Sequence, residues 1–320
     1  MTDWQPDADR AVLRERAALF ATIREFFARR GVLEVDTPVL GRYGVTDPGI
    51  EPLMLAQPDD GAMAGPRFLQ TSPEFAMKRL LAAGSGPIYQ MGKVFRRGEV
   101  GVRHNPEFTL LEWYRPGFSL DALIEEVGDL VAACLGGVQW QQQSYRDLFL
   151  ETLSIDPLSA SDAELALLGR QLAENDEIEL TRDGWLDLLM THAIEPGLRE
   201  RGAVAVVNYP ASQAALARCE EVEGHWVARR FEFYIDGLEL ANGYDELLDS
   251  EELIARAARD NQQRESDGLE HRELDPRLVA AMNHRLPACS GVALGVDRLL
   301  MRRLTATSIS GVMPFSWERA

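Results

Sequence analysis

The chain has 320 residues, 46% hydrophobic and 26% charged, an ordinary composition with ample apolar material for a core. Lys+Arg 33 against Asp+Glu 51 gives a net charge of −18, which argues against a general nucleic-acid or anionic-membrane partner but leaves room for a small anion in a locally basic pocket. A polar, acidic start (Met1-Thr2-Asp3-Trp4), no apolar run long enough to span a bilayer, and Cys134, Cys219 and Cys289 without metal-ligand spacing point to a cytoplasmic protein with free thiols.

In chain order, Val12, Leu13, Ala17, Phe20, Ile23 and Phe27 recur at helical spacing and predict a helix over about 9–30, stopped by Gly31. Val32-Leu33-Glu34-Val35 reads as a strand that ends at Thr37-Pro38. Residues 41–66 are loop-rich, with a flexible tip at Asp59-Asp60-Gly61. Phe68-Leu69-Gln70 is a short strand, and Thr71-Ser72-Pro73-Glu74 then has the make-up of a helix start, for a helix from Phe75 to about Ala83. Taken alone, Glu74 is an acid that complements the helix dipole.

Ile88 to Phe95 and Phe108 to Tyr114 predict two strands joined by a long loop. That loop concentrates Arg96, Arg97, Arg103 and His104, and guanidinium groups bind phosphate or carboxylate oxygens in a bidentate fork. Phe108, which shares a strand face with Leu110, Glu112 and Tyr114, offers a flat base a stacking surface beside those arginines. The plain alternative is a solvated basic turn with Phe108 in the core.

Ser119 caps a helix through about Leu135, closed by Gly136-Gly137, and the segment from about 144 to 229 reads as a helical insertion carried by the main sheet. Arg229 to Ala241 is a second hairpin around Asp236-Gly237. Pairing across that turn sets Tyr234 opposite Glu239 and puts Glu232 on the same face as its diagonal neighbour. Two carboxylates that close repel unless a cation sits between them, and glutamate with phosphate oxygens suits Mg²⁺; a solvated face is the alternative. Glu251 to about Asp267 predicts a charged helix, and Cys289 to Arg298 a small-residue strand running into a helix at Leu299-Leu300-Met301.

Together these pieces resemble the catalytic core of class II aminoacyl-tRNA synthetases of the lysyl type. Gly31 to Pro38 matches the first class motif, Phe95-Arg96 through His104-Asn105-Pro106-Glu107-Phe108 the second, and Gly291 to Arg298 the third. Glu239-Leu240-Ala241-Asn242-Gly243-Tyr244-Asp245-Glu246 is similar to the lysyl substrate segment. A narrower resemblance, carried by Ser72-Pro73-Glu74, His104 to Phe108, Pro210-Ala211-Ser212-Gln213 and Ser290 to Gly295, is to the synthetase-derived ligases that join (R)-β-lysine to elongation factor P. The chain begins almost at the first motif, so no anticodon-binding domain, and with it no tRNA partner, is expected.

The resemblance implies an α+β fold, an antiparallel sheet flanked by helices in a single catalytic domain with the insertion, and a homodimer through the first motif. It implies Arg96 on the α-phosphate and substrate carboxylate, Phe108 under adenine, and Arg298 over the base or on the γ-phosphate. Arg97, Gly98, Glu99, His104, Asn105, Leu240 and Gly295 would complete the ATP site, and Glu232 with Glu239 would hold Mg²⁺. Catalysis would rest on Arg96, Arg298 and Glu239. Glu74 would receive one ammonium of a lysine-type acid and Glu246, with Tyr114, the other; Ser72, Pro73, Asn242 and Ala293 would line the same pocket.

Two departures bear on these roles. Gly98 stands where lysyl enzymes carry a glutamate, so its backbone or Glu99 would supply the adenine contact. Ala293 stands where they carry glycine, and its methyl would reshape the amino-acid pocket. The expected activity is ATP-dependent formation of a lysyl or (R)-β-lysyl adenylate and transfer to a lysine of elongation factor P. The alternatives are a truncated synthetase that makes a small amide or charges tRNA, and a paralogue that only binds.

Overall fold

The computed structural model describes residues 4–55 and 65–320, so the Asp59-Asp60-Gly61 tip lies outside the described residues. Asp9 caps α1 (Arg10–Arg29) by accepting the Val12 N–H at 2.9 Å, and Gly31 ends it at φ +66°. Short strands follow: β1 (Leu33–Glu34), β2 (Leu40–Gly41), β3 (Met54–Leu55) and β4 (Arg67–Leu69), with β2, β4 and β3 forming a small sheet of their own. α2 (Glu74–Ala82) starts where Ser72 Oγ accepts the Glu74 N–H at 3.0 Å. β5 (Ile88–Phe95) and β6 (Glu107–Pro116) are the expected long-looped hairpin, with Val94 opposite Phe108.

α3 (Leu120–Leu135) begins on the Ser119 hydroxyl and ends at Gly136 with φ +86°, as its cap residues predict. β7 (Trp140–Ser144), α4 (Tyr145–Leu153), α5 (Asp162–Ala173), α6 (Arg182–Leu189) and α7 (Glu195–Leu198) follow. The helical stretch stops earlier than its pattern suggested. β8 (Ala203–Pro210), β9 (Cys219–Val222) and the start of β10 (His225–Ile235) take up the last part of segment 144–229. Ala203-Val204-Ala205-Val206-Val207 is buried at every position, so it lacks the alternation that marks a half-exposed strand. β11 (Leu238–Asp245), α8 (Ser250–Ser266), α9 (Pro276–Arg285), β12 (Cys289–Gly295) and α10 (Val296–Arg303) complete the chain, and Asp297 and Arg298 therefore lie in the first turn of α10.

The chain packs as two compact units, Met1–Phe118 with Ala133–Leu135 and Leu247–Ala320, and Ser119–Ala132 with Gly136–Glu246. In the first, the strand order is β1-β5-β6-β12, with β1 parallel to β5 and the rest antiparallel. Phe27 of α1 stacks on Tyr89 at 4.4 Å between ring centroids and meets Trp113 edge-on at 5.3 Å, which seats α1 on one face of that sheet. Met77 and Leu81 of α2 pack with Ile88, Tyr114 and Cys289.

In the second unit the order is β11-β10-β8-β7, with β9 also on β10 and β7 parallel to β8. Its core gathers Phe149, Leu165, Trp185, Leu186, Val204 and Val206. Gly169 allows α5 to lie on Trp185, since a Cβ there would meet the indole at 2.3 Å. Each of these two strand runs thus includes one parallel pair rather than being wholly antiparallel, within the α+β class. Among the described residues no helix is long and apolar enough to cross a membrane.

Candidate active site

The loop between β5 and β6 folds onto itself and onto its neighbours. Arg96 donates its N–H to Pro106 O at 2.8 Å, its guanidinium Nε reaches Thr71 O at 3.3 Å, and its Nη1 lies 3.5 Å from Glu99. Its guanidinium carbon stands 5.2 Å from the centroid of the half-buried Phe108 ring, the arrangement in which a planar cation and an aromatic face frame one site. Arg97 is exposed, while its backbone N–H donates to Glu51 O at 2.7 Å. Gly98 sits at φ +82° with nothing within 4 Å of a built Cβ, so backbone there is open to a ligand.

Gly101 and His104 close a narrow bridge, and His104 Nε2 meets Arg298 Nη2 at 2.6 Å. Burial first, and then Arg298, holds the His104 imidazole below its ordinary pKa, which keeps it neutral as an acceptor for that guanidinium. Gly295 caps α10 just before Arg298.

Two residues that sequence reasoning passed over hold this loop. Buried Asp297 accepts from Arg16 at 2.5 Å and from the Thr109 N–H at 2.6 Å, so α10, α1 and the strand carrying Phe108 share one carboxylate. Trp317 donates its backbone N–H to Asn105 Oδ1 at 2.8 Å, and Asn105 Nδ2 donates to Glu107 O at 2.7 Å. The Asn105 side chain is therefore engaged within the protein at both ends. Asp7 fastens the same tail, accepting from Ser316 N–H at 2.7 Å and pairing with Arg319 at 3.1 Å.

Also in the first unit, an acidic corner forms where α2 begins against β6. Glu112, 2% exposed, accepts from Ser72 Oγ at 2.6 Å and from Tyr114 OH at 2.7 Å. Burial, then the nearby Glu74 carboxylate, pushes its pKa up to about 7, against the pull of Ser72, Tyr114 and Lys78. Glu74 takes the Lys78 ammonium at 2.6 Å. Ala293 of β12 pairs directly with Glu112 across the sheet, so its methyl lies beside that carboxylate. Pro73 is buried at the head of α2. Glu112 was legible as a member of the Tyr114 face but not as a site residue; an acid amid Leu110, Leu111 and Trp113 was the signal.

The second unit carries the other predicted residues on the β10–β11 hairpin. Tyr234 faces Glu239 as expected, but the register shifts by one residue beyond it, so that Glu232 faces Asn242 and Leu240 is the extra, buried residue of a bulge. Glu239, Asn242 and Tyr244 thereby share the face of Arg230, Glu232 and Tyr234. Arg230 pairs with Glu232 Oε1, and donates to Asn242 Oδ1 at 3.1 Å and to Gln213 O at 2.8 Å. Tyr234 OH donates to Glu232 Oε2, and Asn242 Nδ2 donates to Tyr244 OH at 3.0 Å.

Burial acts against the Arg230 charge, but Glu232, Tyr244, Tyr209 and Glu239 outweigh it and raise its pKa. Both Glu232 oxygens are thus satisfied internally, one by the Arg230 guanidinium and one by the Tyr234 hydroxyl. The strand-pairing rule places the two carboxylates on one face but takes no account of the arginine two residues before one of them. Glu239 remains half-buried on the hairpin, and no cluster of three or more metal-ligating side chains occurs among the described residues. Glu246, 1% exposed, is bridged through its backbone to Ala217.

The family model for tRNA synthetases class II (D, K and N) matches residues 1–319. A protein of Pasteurella multocida named "Elongation factor P--(R)-beta-lysine ligase" is 48% identical over 319 residues, 99% of this chain and 98% of its own. Proteins of the same name from Yersinia enterocolitica and Haemophilus influenzae are 48% and 46% identical, over 99% and 100% of this chain and 98% and 99% of theirs. With three ordered motifs on one sheet and loop scaffold and this breadth of match, the chain belongs to the class II tRNA synthetase family that serves aspartate, lysine and asparagine.

Proposed function

We propose that this chain is an ATP-dependent ligase that activates (R)-β-lysine and joins it to the ε-amine of a lysine on elongation factor P. In the first step the amino-acid carboxylate attacks the α-phosphorus of ATP, forming an acyl-adenylate and releasing pyrophosphate. In the second, the acceptor ε-amine attacks the acyl carbonyl, an amide forms, and AMP leaves with the proton lost to solvent. No enzyme nucleophile is required, so positioning and charge stabilisation carry the rate. Arg96 would meet the α-phosphate and the attacking carboxylate, Phe108 would lie under adenine, and Arg298, held by His104, would take the far side of the nucleotide. Gly98, Arg97 and Glu99 would supply loop contacts, and Asn105 would shape the loop from behind. Mg²⁺ with ATP would neutralise phosphate charge, and Glu239 is the glutamate that fits it.

The observation that carries this reading is Glu112, a buried carboxylate aimed at by Ser72 and Tyr114, next to Glu74. An ammonium is the ligand such a corner accepts, since a buried cation without an anionic partner costs too much. Glu246 and Asn242 would serve the other amine. The relatives' names support elongation factor P as acceptor, and the acidic surface supports a reading without tRNA. A cytoplasmic homodimer fits the family.

The test is pyrophosphate exchange driven by a panel of diamino acids, followed by transfer to elongation factor P or to tRNA. Exchange with (R)-β-lysine or lysine and transfer to the protein acceptor is expected. Transfer to tRNA alone would overturn the acceptor, and no exchange with any amino acid would overturn the enzyme.

A further inference from the structure

The acidic corner of the first unit contains its own cation. Lys78 is 2% exposed, one helical turn after Glu74, and its ammonium lies 2.6 Å from a Glu74 oxygen. Glu112 is buried beside them with its two oxygens held by hydroxyls. Counting charges, two carboxylates face one ammonium. A buried lysine is rarely tolerated without such a partner, and here it leaves the corner one positive charge short.

We propose that Lys78 is a positioning residue that sets this deficit at one, by holding Glu74 and leaving Glu112 to be neutralised by an ammonium of the amino acid. Specificity for a doubly aminated acid then follows from an internal counter-ion as well as from the carboxylates that touch the ligand. A monoamino acid that spends its one ammonium elsewhere leaves the corner charged and buried. The reasoning rests on the ligase reading above.

Among the described residues, the groups that act most on Glu112 are Glu74 and Lys78 from α2, Ser72 before that helix and Tyr114 on its own strand. Its cross-strand partners Gln90 and Ala293 carry no charge, and α9, packed on α2, buries Leu278 and Met282. Lys78 lowers the Glu112 pKa and Glu74 raises it, so removing each should act in opposite directions.

The experiment compares wild type with Lys78→Met, Lys78→Arg and Glu74→Gln by the pH dependence of kcat/KM for the diamino acid in pyrophosphate exchange. For Lys78→Met the acid limb should move up by about one pH unit and KM for the diamino acid should rise roughly tenfold near pH 7, with KM for ATP within about twofold. Glu74→Gln should move the limb down, and Lys78→Arg should restore it. An unshifted limb in both Lys78→Met and Glu74→Gln, or ATP and amino-acid KM rising together without rescue by arginine, would overturn the proposal.

The pH dependence of thermal stability, measured without any substrate, reads the same ionisation. It must show the same opposite shifts even if no amino acid drives exchange, an outcome that would sink the ligase reading instead. If Lys78→Met does not fold, the downward shift in Glu74→Gln and retention in Lys78→Arg decide the matter alone.

Discussion

Leu110-Leu111-Glu112-Trp113-Tyr114 in the first unit and Arg230-Phe231-Glu232-Phe233-Tyr234 in the second share one local device, a mid-strand glutamate followed two residues on by a tyrosine. Each places a glutamate in mid-strand, 2% and 9% exposed, and each gives it the hydroxyl of a tyrosine two residues on. The difference is the residue two positions before. At Arg230 a guanidinium shares the face and satisfies Glu232, whereas apolar Leu110 offers Glu112 no charge, its hydrogen bonds come from the hydroxyls of Ser72 and Tyr114, and the Lys78 ammonium of the same corner is taken by Glu74. A carboxylate paired on its own strand is part of the framework; one whose neighbouring ammonium is taken by a second carboxylate has its pKa raised by burial.

Five results would break or sharpen that contrast. The largest is expected from Glu232→Gln, which strands Arg230 in a buried network and should cost about 3–5 kcal/mol of stability in a denaturant titration. A loss below about 1 kcal/mol would mean the pair is not structural. Glu112→Gln should instead leave the fold intact and lower kcat/KM for the diamino acid roughly 100-fold, about 2.7 kcal/mol, with ATP binding retained.

The same residue sets a pH dependence. Glu112 titrates at about 7 in the folded chain against 4.5 as a free carboxyl, so between those values the folded state binds the extra proton. Stability should therefore fall as pH rises from about 4.5 to 7, by up to about 3 kcal/mol, and Glu112→Gln should flatten that slope. Amino-acid use should rise over the same window as the carboxylate forms. The smallest effects should come from the tyrosines. Tyr114→Phe should raise the amino-acid KM about fivefold, and Tyr234→Phe should instead lower stability by about 1 kcal/mol, each reflecting one lost hydrogen bond.

How much of this could be read beforehand follows from how local each feature is. Gly31, Ser119 and Asp236-Gly237 act within three or four residues of themselves, and the helices and hairpin they predict are present. The Leu240 bulge is set by packing across β10 and β11, so a plain hairpin count gives the shared face of Glu232 and Glu239 but not that Glu232 faces Asn242. Ala203 to Val207 lost its strand signature because both faces are buried. Glu112 needed Ser72 and Tyr114 brought together from separate elements before its chemistry was visible. Asp297 and Trp317 act across nearly the whole length of the chain, with Arg16 and Asn105, and left no local trace.

The tail clasp carries a practical meaning for anyone handling the protein. Through Asp7, Ser316 and the Trp317 amide, the chain's two extremities are stitched to the loop beside Phe108. An affinity tag appended after Ala320 therefore bears on the clasp that holds the Asn105 loop, and kinetics gathered with and without it are to be compared before either is used.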